Sequence, residues 1–296
     1  MQRNDPCHCG SGRKYKKCHY IQDTTPIDAQ AQVLIKAGVG SAQSGLTAEL
    51  KKDLGTVVVP ICRVDGGRVS FLGTGFFIST IGLFATAKHV LMDVVDRDGK
   101  PEENAGIIIL QFMPDGNTYY QRGIIRFHIH PLADVAVGVP APMHHKETKQ
   151  PLVNRLPVLT RRIPLVGESA ITYAYPKTLV TDTGAGQRID LAASDHLGQI
   201  EEYLPNGRDK VLLPSACFRT SIEILGGASG GPVFDNFGRA FGINSTGFDG
   251  TNISYVSSIR DILAINITDV NIPHQGHFAT IGISRLAELG HVVFDQ

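Results

Sequence analysis

From residue 56 to residue 256 the chain is a succession of short runs of β-branched and aromatic residues broken by turn residues, and this pattern restricts the fold more than any other feature. The runs are 56–64, 69–78, 83–87, 107–113, 119–128, 135–139, 170–175, 216–224, 232–234, 240–245 and 253–256, with Asp65-Gly66-Gly67 as the first break. Long amphipathic stretches, which would supply helices to cover a parallel sheet, are missing between them. The pattern therefore predicts a mostly β, antiparallel sandwich or pair of barrels. Helical spacing is confined to the ends. Thr25 can cap a helix that carries Ile27, Ala31, Leu34 and Ile35 and stops at Gly38. Residues 38–45 read as a flexible joint, and a short helix carries Leu46, Leu50 and Leu54. Ser257 can cap a helix over 258–264, and 284–289 and 291–294 read as a helix and a strand.

Within this frame one segment carries chemistry. Gly226-Gly227-Ala228-Ser229-Gly230-Gly231-Pro232-Val233 rings a serine with glycines. Glycine tolerates positive φ and lets other atoms approach closely. Such a turn exposes a hydroxyl and aims nearby N–H groups at one point, which is what a nucleophilic serine and an oxyanion hole require. The bland alternative is a glycine-rich turn between two strands. Two further segments weigh against it. His89 stands in Thr86-Ala87-Lys88-His89-Val90 after an apolar strand, and Asp134 heads the strand Ala133-Asp134-Val135-Ala136-Val137.

In these residues the chain resembles the chymotrypsin-like serine peptidases, especially their bacterial, disulfide-free branch. The resemblance covers about residues 55–262, and the order His89, Asp134, Ser229 is the family's order. It implies two six-stranded antiparallel barrels with the site in the cleft between them. It implies Ser229 as nucleophile, His89 as base and Asp134 as the group that orients the base. It implies the Gly227 and Ser229 N–H groups as the oxyanion hole. Ser245 and Gly247 fall on the strand that pairs with substrate, with Ser245 touching the acid. Glu223 falls at the base of the pocket for the residue before the cleaved bond, where a carboxylate favours Lys or Arg. The alternative for Glu223 is a solvent-facing position between Ile222 and Ile224. The chain departs from the family at three places, one of them Lys88 beside His89, which is unusual for secreted members. Ala228 replaces an acidic or amide residue, so activation by a freed N-terminus is in doubt. Val90 replaces the cysteine that commonly follows the histidine.

A second motif lies at the N-terminus. Cys7, Cys9, Cys18 and His19 supply three thiolates and an imidazole, the donor set for one tetrahedral Zn²⁺. A segment of ~20 residues cannot build a core, so metal binding would supply its folding free energy. The string resembles the SEC-C motif, which implies these four ligands, excludes His8 and implies contact with a protein partner. Lys14, Lys16 and Lys17 either serve that contact or solvate the knuckle. The expected organisation is a zinc knuckle over 1–20, a helical and flexible linker over 21–54, a peptidase domain over 55–264 and an extension over 265–296.

Composition narrows the rest. The 28 basic and 28 acidic residues balance, which leaves no electrostatic footprint for nucleic acid. No apolar run approaches the ~20 residues of a membrane span, and the first residues lack an apolar signal core. Five cysteines, an odd number, argue against a disulfide framework and for a reducing, cytoplasmic compartment. Cys62 and Cys217 read as buried inert thiols. The expected partner is a protein or peptide substrate. The competing readings are a non-catalytic protein-binding module and a peptidase switched on by a partner.

Overall fold

The computed structural model describes residues 4–5, 14, 34–39, 46–102, 105–113, 119–143, 155–184, 186–248, 250–272 and 275–295. The expected zinc ligands Cys7, Cys9, Cys18 and His19 lie outside them, as does most of the helix expected after Thr25.

That helix does not reach its expected end. Leu34–Val39 is a strand, β1, parallel to a later strand. The edge of that strand offers unpaired N–H and C=O groups, and pairing with them overrides a weak local helix preference. The short helix after it forms as expected. Thr47 caps α1 (Ala48–Val57) by accepting a bond from the Leu50 N–H at 3.3 Å.

The first barrel comprises β2 (Val58–Asp65), β3 (Arg68–Phe77), β4 (Phe84–Thr86), β5 (Ala105–Phe112), β6 (Tyr119–Ile129) and β7 (Ala136–Pro140). It closes in the order β2-β3-β4-β7-β6-β5, antiparallel throughout. Inward residues such as Ile61, Phe76, Phe84, Ile109 and Phe127 are fully buried. Phe84 and Phe127 meet edge to face with centroids 5.8 Å apart.

The second barrel follows from β8 (Ser169–Ala174), β9 (Leu179–Thr183), β10 (Gly186–Leu204), β11 (Cys217–Thr220), β12 (Pro232–Phe234), β13 (Ala240–Gly247) and β14 (Ser254–Ser258). The strands β8-β10-β11-β14-β13-β12 form an antiparallel ring that closes on β8. The chain thus has the expected mostly β, two-barrel fold. The first half of β10 projects from the ring, with β9 on one edge and β1 on the other. Sequence patterning misses β9 and β10. Their exposed positions make the segment polar, with Asp182, Glu201 and Glu202 outside and Ile189, Leu191 and Ile200 buried. The run expected over 216–224 is a strand only as far as Thr220.

After β14 the helix expected over 258–264 is a 3-10 helix, Ile259–Ala264, capped by Ser258 and not by Ser257. Then come β15 (Asn266–Ile272), β16 (Gly276–Gly282) and α2 (Ile283–Glu288). Residues 265–295 are no loose appendage. Ile267, Ile272, Ile283 and Leu286 are fully buried in the same apolar cluster as the first barrel. Thr80 N–H donates to the His291 carbonyl, and Asp295 N–H donates to the Leu159 carbonyl. The segment therefore ties the β3–β4 connection to the segment that leads into the second barrel.

Candidate active site

His89 sits in a 3-10 turn, Lys88–Leu91, that follows β4. Asp134 precedes β7, the strand paired with β4, so the register of one sheet brings the two together. The Asp134 carboxylate accepts the His89 backbone N–H on Oδ1 at 2.9 Å and His89 Nδ1 on Oδ2 at 2.8 Å. Oδ2 also accepts the Ser245 hydroxyl. Nδ1 donates to a carboxylate, so the proton of the neutral ring is on Nδ1 and Nε2 is left as the acceptor. The Asp134 side chain is 7% exposed, whereas that of His89 is 37% exposed. Burial opposes ionisation of Asp134. The hydrogen bond and charge of His89, the Ser245 hydroxyl and the His89 N–H outweigh it and hold the carboxyl below its ordinary range.

Ser229 lies on the glycine-rich turn before β12. Its carbonyl accepts the Thr74 N–H at 2.9 Å, which anchors the turn to β3 of the other barrel. Its hydroxyl donates to the Ser245 carbonyl at 3.2 Å. Ser245 therefore touches Asp134 through its side chain and Ser229 through its main chain. Among the described residues, neither the Gly227 nor the Ser229 N–H has an acceptor within the chain. Two of the glycines are sterically required. A Cβ on Gly230 (φ +87°) would lie 2.0 Å from the Thr74 carbonyl oxygen, and one on Gly227 (φ +89°) would lie 2.6 Å from the Phe71 ring.

Three residues that sequence reasoning missed hold this turn. The Asn244 amide donates to the Ala228 carbonyl at 3.1 Å and to Thr172 Oγ1 at 2.7 Å. Its main chain accepts the Gly230 N–H and donates to the Gly231 carbonyl, both at 2.8 Å. Thr74 Oγ1 donates to the Gly227 carbonyl at 2.8 Å. Asn244 adjoins Ser245, and that adjacency was the one available signal. The Val90 methyls fill the space over Gly73, where a Cβ would lie 3.0 Å from Val90 Cγ2.

The specificity positions are placed differently. Glu223 is half-exposed between buried Ile222 and Ile224, and its carboxylate lies 3.8 Å from His196 Nδ1. His196 Nε2 meets the Ser194 hydroxyl at 3.1 Å. Gly247 packs on Ile224, whose carbonyl oxygen would lie 2.5 Å from a Cβ at 247. Cys62 and Cys217 are buried free thiols, with burial pushing them up to about 12 and about 11. Neither is poised as a nucleophile or ligand. Among the described residues no cluster of His, Cys, Asp or Glu is arranged to hold a metal. Among them, too, no helix is long and apolar enough to cross a membrane.

Comparison with known proteins adds the following. Residues 73–243 match the family described as the trypsin-like peptidase domain, and residues 3–21 match the SEC-C motif. The first of these matches spans the clasped His89 and Asp134 and the Ser229 turn. A 22-residue stretch is 77% identical to a methionine aminopeptidase of Chlamydia pneumoniae; the stretch covers 7% of this chain and 8% of that protein's length. Among solved structures, Deg5 is similar with a TM-score of 0.51 at 18% identity, over 75% of this chain and 95% of that one. An inactive form of Rv3671c from M. tuberculosis H37Rv is similar with a TM-score of 0.49 at 18% identity, over 77% and 93%. At 18% identity the likeness to Deg5 is one of fold.

Proposed function

Because this chain belongs to the trypsin-like peptidase family and is a serine endopeptidase, we propose that it cleaves peptide bonds through an acyl-enzyme on Ser229, with His89 as base and Asp134 as the group that orients it. The observation that carries this reading is the double clasp of Asp134 on His89, which leaves Nε2 facing outward as a proton acceptor. The Ser229 hydroxyl turns from the Ser245 carbonyl toward Nε2 and attacks the scissile carbonyl carbon, and His89 takes its proton. The carbonyl oxygen, now negative, is received by the Gly227 and Ser229 N–H groups. Collapse breaks the C–N bond, and His89 returns the proton to the leaving amine. A water then repeats the sequence on the ester and frees Ser229. A fluorophosphonate probe tests this: it should label the parent protein and fail to label Ser229→Ala. Labelling that persists in Ser229→Ala would remove Ser229 from the mechanism.

Glu223 is our candidate for selecting Lys or Arg before the cleaved bond, supported by its half-exposed carboxylate six residues ahead of Ser229. The residues of the SEC-C motif fit a structural Zn²⁺. Cys7, Cys9, Cys18 and His19 would fill all four positions of a tetrahedral ion, so the metal would fold the knuckle and leave no coordination site for catalysis. Lys14, Lys16 and Lys17 of that motif are our candidates for contact with a protein partner or substrate. Stoichiometric zinc in the purified protein, lost in Cys9→Ser and Cys18→Ser, is the expected result. Two buried free thiols accord with a reducing, cytoplasmic setting.

A second reading, a peptidase switched on by a partner, draws on the Ser229 hydroxyl being bonded to the Ser245 carbonyl and not to His89. It expects the purified chain to label slowly and the chain in its native lysate to label fast.

A further inference from the structure

We propose that Lys177 is a positioning residue for the oxyanion hole and that it acts through its left-handed backbone, not through its charge. The inference rests on the reading of the Gly227 N–H as an oxyanion donor. Lys177 is one of two non-glycine residues among the described ones with positive φ, at +56°. A lysine is strained in that conformation, and such strain persists only where the surroundings impose it. Its own surroundings are specific. The Lys177 N–H donates to the Gly226 carbonyl at 3.2 Å.

That carbonyl belongs to the same peptide unit as the Gly227 N–H. A trans peptide is planar, with C=O and N–H pointing in opposite directions, and the chain has no cis bonds among the described residues. Fixing the Gly226 oxygen on Lys177 therefore aims the Gly227 hydrogen to the other side, away from the 175–178 turn and clear of any acceptor among the described residues. The next peptide is fixed as well, because the Gly227 carbonyl accepts Thr74 Oγ1, which itself accepts the Tyr175 N–H at 3.2 Å. The Tyr175 carbonyl closes the other approach, since it would lie 2.9 Å from a Cβ on Gly227. Thr178 Oγ1 donates to that same carbonyl at 3.1 Å and holds the turn. The 175–178 turn thus grips the Gly226–Gly227 peptide directly and the Gly227–Ala228 peptide through Thr74 of β3. The Lys177 side chain is exposed and makes no hydrogen bond or ion pair in the described structure.

The test is a series at position 177 read with an alkyl fluorophosphonate, whose phosphoryl oxygen enters the same hole. Labelling rates should follow left-handed propensity, falling in the order Gly, Asn, Lys, Ala, Val. Lys177→Val should lower the maximal labelling rate on the order of tenfold to a hundredfold, short of or reaching the effect of losing one oxyanion donor, with the probe's half-saturating concentration little changed. Thr178→Val loosens the turn without altering position 177 and should lower the rate in the same direction. Thermal melts check that each variant is folded. An active parent with a flat series, or Gly and Asn variants as slow as Val, would overturn the proposal. A parent that never labels at Ser229 would instead overturn the underlying reading.

Discussion

Ser245 donates its hydroxyl to Oδ2 of Asp134, the same oxygen that receives His89 Nδ1. The acid we propose to orient the base is itself held by the strand expected to pair with substrate. Ser245→Ala removes one of the groups that keep this buried carboxylate ionised. The loss should cost about 1.5–3 kcal/mol of stability, the range for hydrogen bonds to charged groups. The pH dependence gives it a signature. The folded carboxyl lies below its ordinary value of 3.8, so its contribution is present above that value and is lost as pH falls through the folded one. Melts of parent and variant should differ most near neutrality, and the gap should close only as pH falls below 3.8 through the folded value. A gap that persists in acid would mean that the hydroxyl acts by packing.

Asp134→Asn keeps the shape of the clasp and changes its chemistry. An amide nitrogen facing Nδ1 favours the ring tautomer with hydrogen on Nε2, which cannot accept a proton from Ser229. The expected fall in kcat is on the order of 10⁴, with KM little affected. A loss under tenfold would mean that Asp134 is not needed to set the tautomer.

Which parts of this arrangement can be read from sequence follows from how each is encoded. The glycine-ringed serine, the histidine after its strand and the aspartate before its strand are local patterns, each decided within about eight residues. Thr74 and Lys177 are not. Thr74 bonds residues 101 and 153 positions away, and nothing around it marks that role. β10 is hidden because its projecting half is solvated on one face and reads as polar. The extension was legible in part. Ile265, Ile267 and Ile281, Ile283 alternate with a polar residue or glycine, the period of half-buried strands.

Glu223 and His196 give a test of specificity. Burial lowers His196, and the charge of Lys177 adds to that; Glu223 and Asp195 pull the other way but do not reverse it. The imidazole is therefore neutral near pH 7 and leaves the Glu223 charge uncancelled. Glu223→Gln should reduce kcat/KM for a peptide with arginine before the cleaved bond by about 10- to 100-fold, the equivalent of one charge-assisted bond. A leucine peptide should be cleaved at about the parental rate. As pH falls through the lowered value of His196, an imidazolium forms beside Glu223 and the arginine preference of the parent should shrink. Equal effects of Glu223→Gln on both peptides would show that Glu223 does not contact that residue.

Truncation after Ala264 tests whether 265–295 belongs to the catalytic domain. The deletion removes eight buried apolar side chains: Ile265, Ile267, Val270, Ile272, Ile281, Ile283, Leu286 and Val292. At roughly 1.5–3 kcal/mol for each fully buried side chain, their loss approaches or exceeds the 5–15 kcal/mol by which ordinary domains are stable. It also leaves Arg239 without Asp295, and Thr160 without the carboxylate oxygen it donates to at 2.6 Å. The truncated chain should give no cooperative thermal transition and no labelling at Ser229. A soluble product that melts cooperatively would show instead that the two barrels stand without the segment that joins them.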